Sequence, residues 1–178
     1  VFPLPVAGFV ADPTKTNTYE ALVQFTDTSL GASDWEWQFG ADNVMGYFAD
    51  ESFDYTEFTG YRRVTQTVYN QYACSDSTSV RIYIEPQPKI FAPNSFTPDE
   101  NGFNDLFEVK YNDIEAVMYM RVFNRWGEVI FEGKGKDAAW NGRHNGEDVP
   151  MGTYFYEIHY LDKVGRNGFY KGSINLIR

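Results

Sequence analysis

The stretch Met118-Tyr-Met-Arg-Val-Phe-Asn-Arg-Trp-Gly-Glu-Val-Ile-Phe131 decides the fold. Met118, Met120 and Val122 alternate with Tyr119, Arg121 and Phe123, which is the period of a strand with one apolar face. Trp126-Gly127 then turns the chain into Glu128-Val-Ile-Phe131, so the segment predicts a β-hairpin. The same period recurs on both sides of it. Downstream, Tyr154, Tyr156, Ile158 and Tyr160 alternate with Phe155, Glu157, His159 and Leu161. A turn-rich link, Asp162 to Gly168, leads to a final strand, Phe169 to Arg178, with Tyr170, Ile174 and Leu176 on one face. Upstream, Trp35, Trp37 and Phe39 alternate with Asp34, Glu36 and Gln38, and Val80, Ile82 and Ile84 with Arg81 and Tyr83. Ala21 to Thr26 reads as another strand. Val64, Gln66 and Val68 share a face that the Gln makes less regular. A short helical turn is expected at Asn112 to Val117.

Short strands with turns at this spacing predict an all-β protein. Its 18% aromatic residues, 15 Gly and 8 Pro agree with that class. The segment Glu85-Pro-Gln-Pro-Lys89 breaks the pattern. Proline removes a ladder donor and fixes an extended chain, so this segment ends one sheet and spaces it from the next. We therefore expect two tandem antiparallel β-sandwiches, immunoglobulin-like, with domains at 1–86 and 90–178 and a linker at 87–89. Each half, at about 90 residues, is long enough to bury its own core.

The net charge of −10 is uneven: −7 over residues 1–89 and −3 over residues 90–178. Nucleic-acid binding needs clustered Lys and Arg to neutralise phosphates, and no such cluster occurs. Anionic membrane surfaces are disfavoured for the same reason. No apolar run approaches the roughly 18 residues of a membrane helix, so no transmembrane segment is expected. Val1-Phe-Pro-Leu-Pro5 lacks the basic region of a signal peptide, and we expect any export signal to lie upstream in a longer chain. The single cysteine, Cys74, cannot form an intramolecular disulfide and is expected as a small core residue.

Catalytic patterns are weak. His144 and His159 lie in an expected turn and strand, with neither a Gly-x-Ser-x-Gly nor a His-Glu-x-x-His motif nearby. Gly133-Lys-Gly-Lys136 lacks phosphate-loop spacing. Asp50-Glu51 and Glu147-Asp148 read as solvated turns, so no enzyme is expected. Asp99, Asn101, Asn104 and Asp105 could converge on Ca²⁺, with Gly102 permitting the sharp turn. The alternative is an Asx-rich loop tied by side-chain-to-backbone bonds. No other cofactor is expected. Arg125-Trp126 is a candidate recognition pair, because Trp and Arg dominate interface energetics. The alternative is that Trp126 closes the hairpin core with Arg125 stacked beside it. Trp35, Trp37 and Tyr61 could form a sugar platform or else lie in the core. An outer-membrane barrel would suit the aromatic content but not the two unlike halves.

Two resemblances sharpen these expectations. Trp35-Glu-Trp-Gln-Phe-Gly40, Gly60-Tyr61 and Val68-Tyr-Asn70 resemble elements of a PKD domain over roughly residues 7–86, although Gly40-Ala-Asp42 replaces the family's usual Gly-Asp-Gly. Pro93-Asn-Ser-Phe-Thr-Pro98, Gly102-Phe-Asn-Asp105, Phe123-Asn-Arg-Trp-Gly127, Trp140-Asn-Gly142, Gly152-Thr-Tyr154 and Lys171-Gly172 occur in order. This set resembles the gliding motility-associated C-terminal domain, the type B sorting domain of the type IX secretion system. The resemblance implies a noncatalytic sorting signal that exports a passenger, often an adhesin, to the surface of gliding or related Bacteroidota. It also implies partners among type IX components at the outer membrane, including a PorP/SprF-type protein, reached through the periplasm. Arg125, Trp126, Gly127, Lys171 and Gly172 are then the candidate sorting residues, together with an open edge of the terminal sheet. Loss of Ile174 to Arg178 is expected to remove three core residues, Ile174, Leu176 and Ile177. The rival function is a carbohydrate- or surface-binding sandwich.

Overall fold

The computed structural model describes residues 3–42, 44–135 and 138–178. Val1 and Phe2 of the opening run and Lys136 of the Gly133–Lys136 segment lie outside the described residues. The chain divides into two compact units, Val1–Gln87 and Pro88–Arg178, and the division falls inside the Pro-x-Pro segment.

The first unit contains β1 (Phe9–Asp12), β2 (Lys15–Asn17), β3 (Leu22–Asp27), β4 (Asp34–Gln38), β5 (Met45–Gly46), β6 (Glu51–Asp54), β7 (Gly60–Tyr69) and β8 (Ser75–Glu85). A three-stranded sheet, β1-β3-β6, packs on a five-stranded one, β2-β8-β7-β4-β5. Trp37 lies at the centre of the core, fully buried, with its ring 4.9 Å from Phe9 and 5.8 Å from Phe25. Burying an aromatic side chain of this size contributes on the order of 3 kcal/mol, provided that its polar atom finds a partner. The Trp37 indole N–H donates to Phe48 O at 2.8 Å, and the buried Tyr55 hydroxyl donates to Phe39 O at 2.7 Å. Gln66 interrupts an apolar face yet is fully buried between Val64 and Val68; its Nε2 donates to Asp27 Oδ1 at 2.6 Å.

The second unit contains β9 (Lys89–Phe91), β10 (Ser95–Phe96), β11 (Phe107–Glu108), β12 (Lys110–Asn112), β13 (Ile114–Phe123), β14 (Val129–Gly133), β15 (Ala139–Trp140), β16 (Arg143–His144), β17 (Glu147–Asp148), β18 (Gly152–Asp162) and β19 (Asn167–Leu176). Its main sheet has the order β10-β19-β18-β13-β14. Short pairs β9–β12, β11–β15 and β16–β17 accompany it. Met120, Val122, Tyr156, Ile158, Ile174 and Leu176 form one side of the core, with Phe96, Phe107 and Trp140 packed against them. The chain is therefore all-β, in two sandwiches, and the sheets of the described residues are open and form no barrel.

Both units share a closing device. Most pairings are antiparallel, but β2 runs parallel to the end of β8, and β10 runs parallel to the end of β19. In each unit a short early strand is thus stitched along the last strand.

Three hairpins share one turn. Asn70, Asn124 and Asp162 each accept, through a side-chain oxygen, the amides two and four residues on. Each also pairs its backbone with that fourth residue. The third residue is Ala73, Gly127 or Gly165, at φ +58°, +84° and +84°. This is a tight turn followed by a left-handed residue, a geometry that Asn, Asp and Gly favour. The two intervening residues, such as Arg125 and Trp126, are pushed to the tip.

Several expectations change. Met118 does not join Met120 and Val122; a register shift between Val117 and Tyr119 ejects it, leaving it 51% exposed. The expected helical turn at 112–117 is instead the end of β12, a left-handed Asp113 and the start of β13. Ile177 is half-exposed, because β19 ends at Leu176 and only Ile174 and Leu176 reach the core. Cys74 is a half-exposed residue closing the Asn70 turn, not part of the core.

Candidate functional site

The β13–β14 hairpin carries the candidate recognition pair. Asn124 Oδ1 accepts the Trp126 and Glu128 amides, both at 3.0 Å, and the Gly127 amide closes on Asn124 O at 3.0 Å. With the turn fixed in this way, the Trp126 side chain cannot fold back under the hairpin. It stands 78% exposed, so the expectation that it closes the core is overturned. Arg125 does stack on it, with the guanidinium carbon 4.7 Å from the ring centre.

Strand pairing brings distant residues beside the pair. Phe123 faces Phe155 across β13 and β18, which sets the start of β18 next to the hairpin. Trp126, Ile130, Val149, Met151, Tyr154 and Phe155 line a cleft of about 550 Å³, with Arg125 at its rim. Met151 is 61% and Phe155 50% exposed. Neither was singled out from the sequence. The available signal was Phe155, a large apolar residue on the polar side of the β18 alternation.

Lys171 and Gly172 lie on β19, apart from this cleft. Gly172 opposes Tyr156, whose ring covers it; a Cβ there would sit 2.6 Å from Tyr156 Cζ. Its glycine is thus explained by packing. Burial, and then the neighbouring Tyr170, push the Tyr156 hydroxyl up to about 12, so it stays neutral under a protein-lined roof. Lys171 is exposed and opposes Glu157, which opposes Arg121. Arg121 bonds Glu132 at 2.7 Å, completing a row of alternating charge on the outer face of the sheet. The edge of β19 is covered by β10 only at Asn175 and Leu176. The Asn175 and Ile177 amides point to that side, so strand alternation turns the backbone groups of Phe169, Lys171 and Ser173 outward as well.

In the Asp99–Asp105 loop, Asp105 Oδ1 accepts the amides of Asp99 (3.0 Å) and Glu100 (2.7 Å), while Oδ2 accepts that of Gly102 (2.6 Å). Asp99 Oδ1 takes the Asn101 amide and Asn101 Oδ1 takes that of Phe103. Asn104 contributes its backbone carbonyl, which receives the Thr97 amide at 2.8 Å. The loop brings these residues together as turn-forming acceptors. Among the described residues, no group of three His, Cys, Asp or Glu is placed to hold a metal.

Other sequence candidates are spent on structure. His144 Nδ1 lies 2.8 Å from Ile130 O, and His159 stacks on Tyr119 at 4.5 Å. The sugar platform does not form: Trp37 is in the core and Trp35 packs against it, leaving only Tyr61 exposed.

The landmarks of the second unit are therefore mostly turns and core contacts, and two of them, Phe123–Gly127 and Gly152–Tyr154, contribute to the lining of an exposed aromatic cleft. A family model described as the CHU_C type IX secretion signal domain matches residues 90–176. Residues 90–176 form a type IX secretion signal domain. Such a signal implies engagement of that secretion system and export to the cell surface or into the medium. Similar solved structures include the PKD1 domain of Vibrio anguillarum Epp, at 22% identity and TM-score 0.41, covering 48% of this chain and 98% of that one. The PKD1 domain of the Vibrio cholerae metalloprotease PrtV is 24% identical, with TM-score 0.40, covering 47% and 99%. A tetra-tandem repeat from the extending region of a large adhesion protein is 13% identical, with TM-score 0.49, covering 97% and 49%. No curated protein matches the chain. The cleft belongs to the signal domain, as do the Asp99–Asp105 loop and the free edge of β19.

Proposed function

We propose that residues 90–178 are a noncatalytic sorting domain that directs an attached passenger, a large adhesin, through the type IX secretion system. The match of residues 90–176 to the signal-domain family carries this reading. Residues 1–86 act as a PKD-like spacer ahead of it. The partners are type IX components at the outer membrane, including a PorP/SprF-type protein, in a gliding or related bacterium of the Bacteroidota. Recognition is of the folded domain. The Arg125-Trp126-Gly127 hairpin supports it, being a rigid turn that presents a Trp and an Arg, the residue types that dominate interface energetics. The partly open edge of β19 around Lys171 is a second contact, able to take an added strand.

The test fuses a signal peptide and a fluorescent reporter to residues 90–178 or to residues 1–89. The first fusion is expected outside the cell and the second in the periplasm. Retention of the first, or release of the second, overturns the reading.

A further inference from the structure

The cleft beside Trp126 contains several polar side chains, and almost all of them are already engaged. Asn124 Nδ2 donates to Glu128 Oε2 at 2.8 Å, and Asn124 Oδ1 holds two amides. His144 is held through Nδ1 by Ile130 O and through Nε2 by Asn145. Thr153 Oγ1 donates to Asn175 Oδ1 at 2.7 Å, and the Tyr154 hydroxyl donates to Pro150 O at 2.6 Å. Two side-chain donors lining the cleft have no hydrogen-bond acceptor among the described residues, the exposed Trp126 indole N–H and the Arg125 guanidinium, and only the second is charged. Among the described residues the guanidinium has no carboxylate partner; it rests on the Trp126 ring and acts electrostatically on Tyr154.

A guanidinium stacked on an indole is oriented with its N–H fork free, and that fork matches a carboxylate in two parallel hydrogen bonds. Around it the lining is apolar and exposed: Trp126, Met151 and Phe155. A ligand that satisfies both features joins a carboxylate to a bulky apolar group. The spent groups argue against a glycan, because sugar hydroxyls need several free donors and acceptors to be read, and here the lining offers few besides the Arg125 fork, the Trp126 N–H and one Glu128 oxygen. We infer that the cleft binds an extended peptide segment of a protein partner, with an Asp or Glu on Arg125 and a neighbouring aromatic or aliphatic side chain against Trp126, Met151 and Phe155. This rests on the sorting-domain reading only for where the partner comes from. The recognition chemistry stands on the cleft itself.

The 178-residue chain, labelled with ¹⁵N, is titrated with acetyl-Phe-Asp-Leu amide, with its Asn counterpart and with tetragalacturonate. The readout is the Trp126 indole N–H resonance. The Asp peptide is expected to shift it saturably, with a dissociation constant on the order of 1 mM, and the Asn peptide to bind about tenfold more weakly, as loss of a charge-assisted pair requires. Arg125→Gln, which changes a surface turn position, is expected to abolish the difference between the peptides, and Arg125→Lys to restore part of it. Equal affinity of the two peptides, an unmoved Trp126 resonance, or saturable binding of the oligosaccharide alone overturns the inference. Secretion of the reporter fused to residues 90–178 is scored separately. Normal secretion with no peptide binding removes the inferred ligand but not the sorting function. Peptide binding without secretion does the reverse.

Discussion

At the residue scale, the recurring turn shows how little sequence is needed to place a functional side chain. An Asx residue, followed three positions later by a left-handed residue, fixes the hairpin and exposes whatever lies between them. Gln71-Tyr72 and Lys163-Val164 occupy that tip in two of the turns, and Arg125-Trp126 in the third. The Asn124–Gly127 spacing was thus legible, but the sequence left Trp126 open between an exposed tip and the hairpin core, because hydropathy alone sends a Trp inward. Ala73 holds the left-handed position with a Cβ, at a cost of about 1 kcal/mol. Ala73→Gly is therefore expected to raise the thermal midpoint, corresponding to a gain of up to about 1 kcal/mol, and a lower midpoint would contradict this account of the turn. The Asp99–Asp105 loop leads to a different expectation. Its Asp105 carboxylate already gathers three backbone amides, and these donors crowd the oxygens a cation would need. Calorimetry with Ca²⁺ at about 1 mM, the range of weak extracellular sites, is expected to give no binding heat. A saturable heat that vanishes in Asp99→Ala would make the loop a metal site.

At the element scale, the alternation patterns located β4, β7, β8, β13, β18 and β19 and most of their core faces, with Met118 and Tyr170 the exposed exceptions. What they could not show was register. The shift between Val117 and Tyr119 that expels Met118 depends on how β13 meets β18, as does the meeting of Phe123 and Phe155 that completes the cleft. The β18–β19 connection shows how an element end is secured. Asp162 is buried, with Oδ1 on the Val164 and Arg166 amides and Oδ2 on the Arg166 guanidinium at 2.7 Å. Burial opposes its charge, but the bonds from Arg166 and Val164 outweigh this and hold the carboxyl below its ordinary value of 3.8. A carboxyl depressed by folding stabilises the native state above its unfolded value, and that contribution is lost as the pH falls through the folded one. Asp162→Ala is expected to cost about 2 kcal/mol at neutral pH. Urea titrations of wild type and variant should converge once the pH drops below 3.8. A constant difference down to pH about 2 would show that the charge is not the source.

At the scale of the whole molecule, the division into two sandwiches was readable from a five-residue segment, because Pro86 and Pro88 cannot continue a ladder. The identity of the second unit rested on ordered landmarks, and the structure explains why they hold together. Phe96, Trp140 and Tyr154 are core, whereas Gly102, Gly127 and Gly142 hold left-handed turns. Arg178 is not a loose end: its guanidinium reaches Val149 O at 2.6 Å and Gly142 O at 3.2 Å. Removing residues 174–178 takes away two fully buried aliphatic side chains, each worth about 2–5 kcal/mol, together with the β10 pairing. That sum approaches the whole stability of a domain this size. The truncated chain is expected to lose the cooperative unfolding of residues 88–178 in calorimetry. A truncation that still unfolds cooperatively yet is not exported would show instead that the strand itself is read.

The two parallel stitches, β2 on β8 and β10 on β19, also set how each unit bears tension. Tension applied at opposite ends of such a unit drags the paired strands past each other in shear. The evenly spaced, slanted hydrogen bonds of a parallel pair then share the load instead of peeling open one by one. A polypeptide held under tension would gain from units whose seams lie along the line of pull. Single-molecule stretching from residues 3 and 87 should rupture unit one at a higher force than stretching from a mid-strand attachment point.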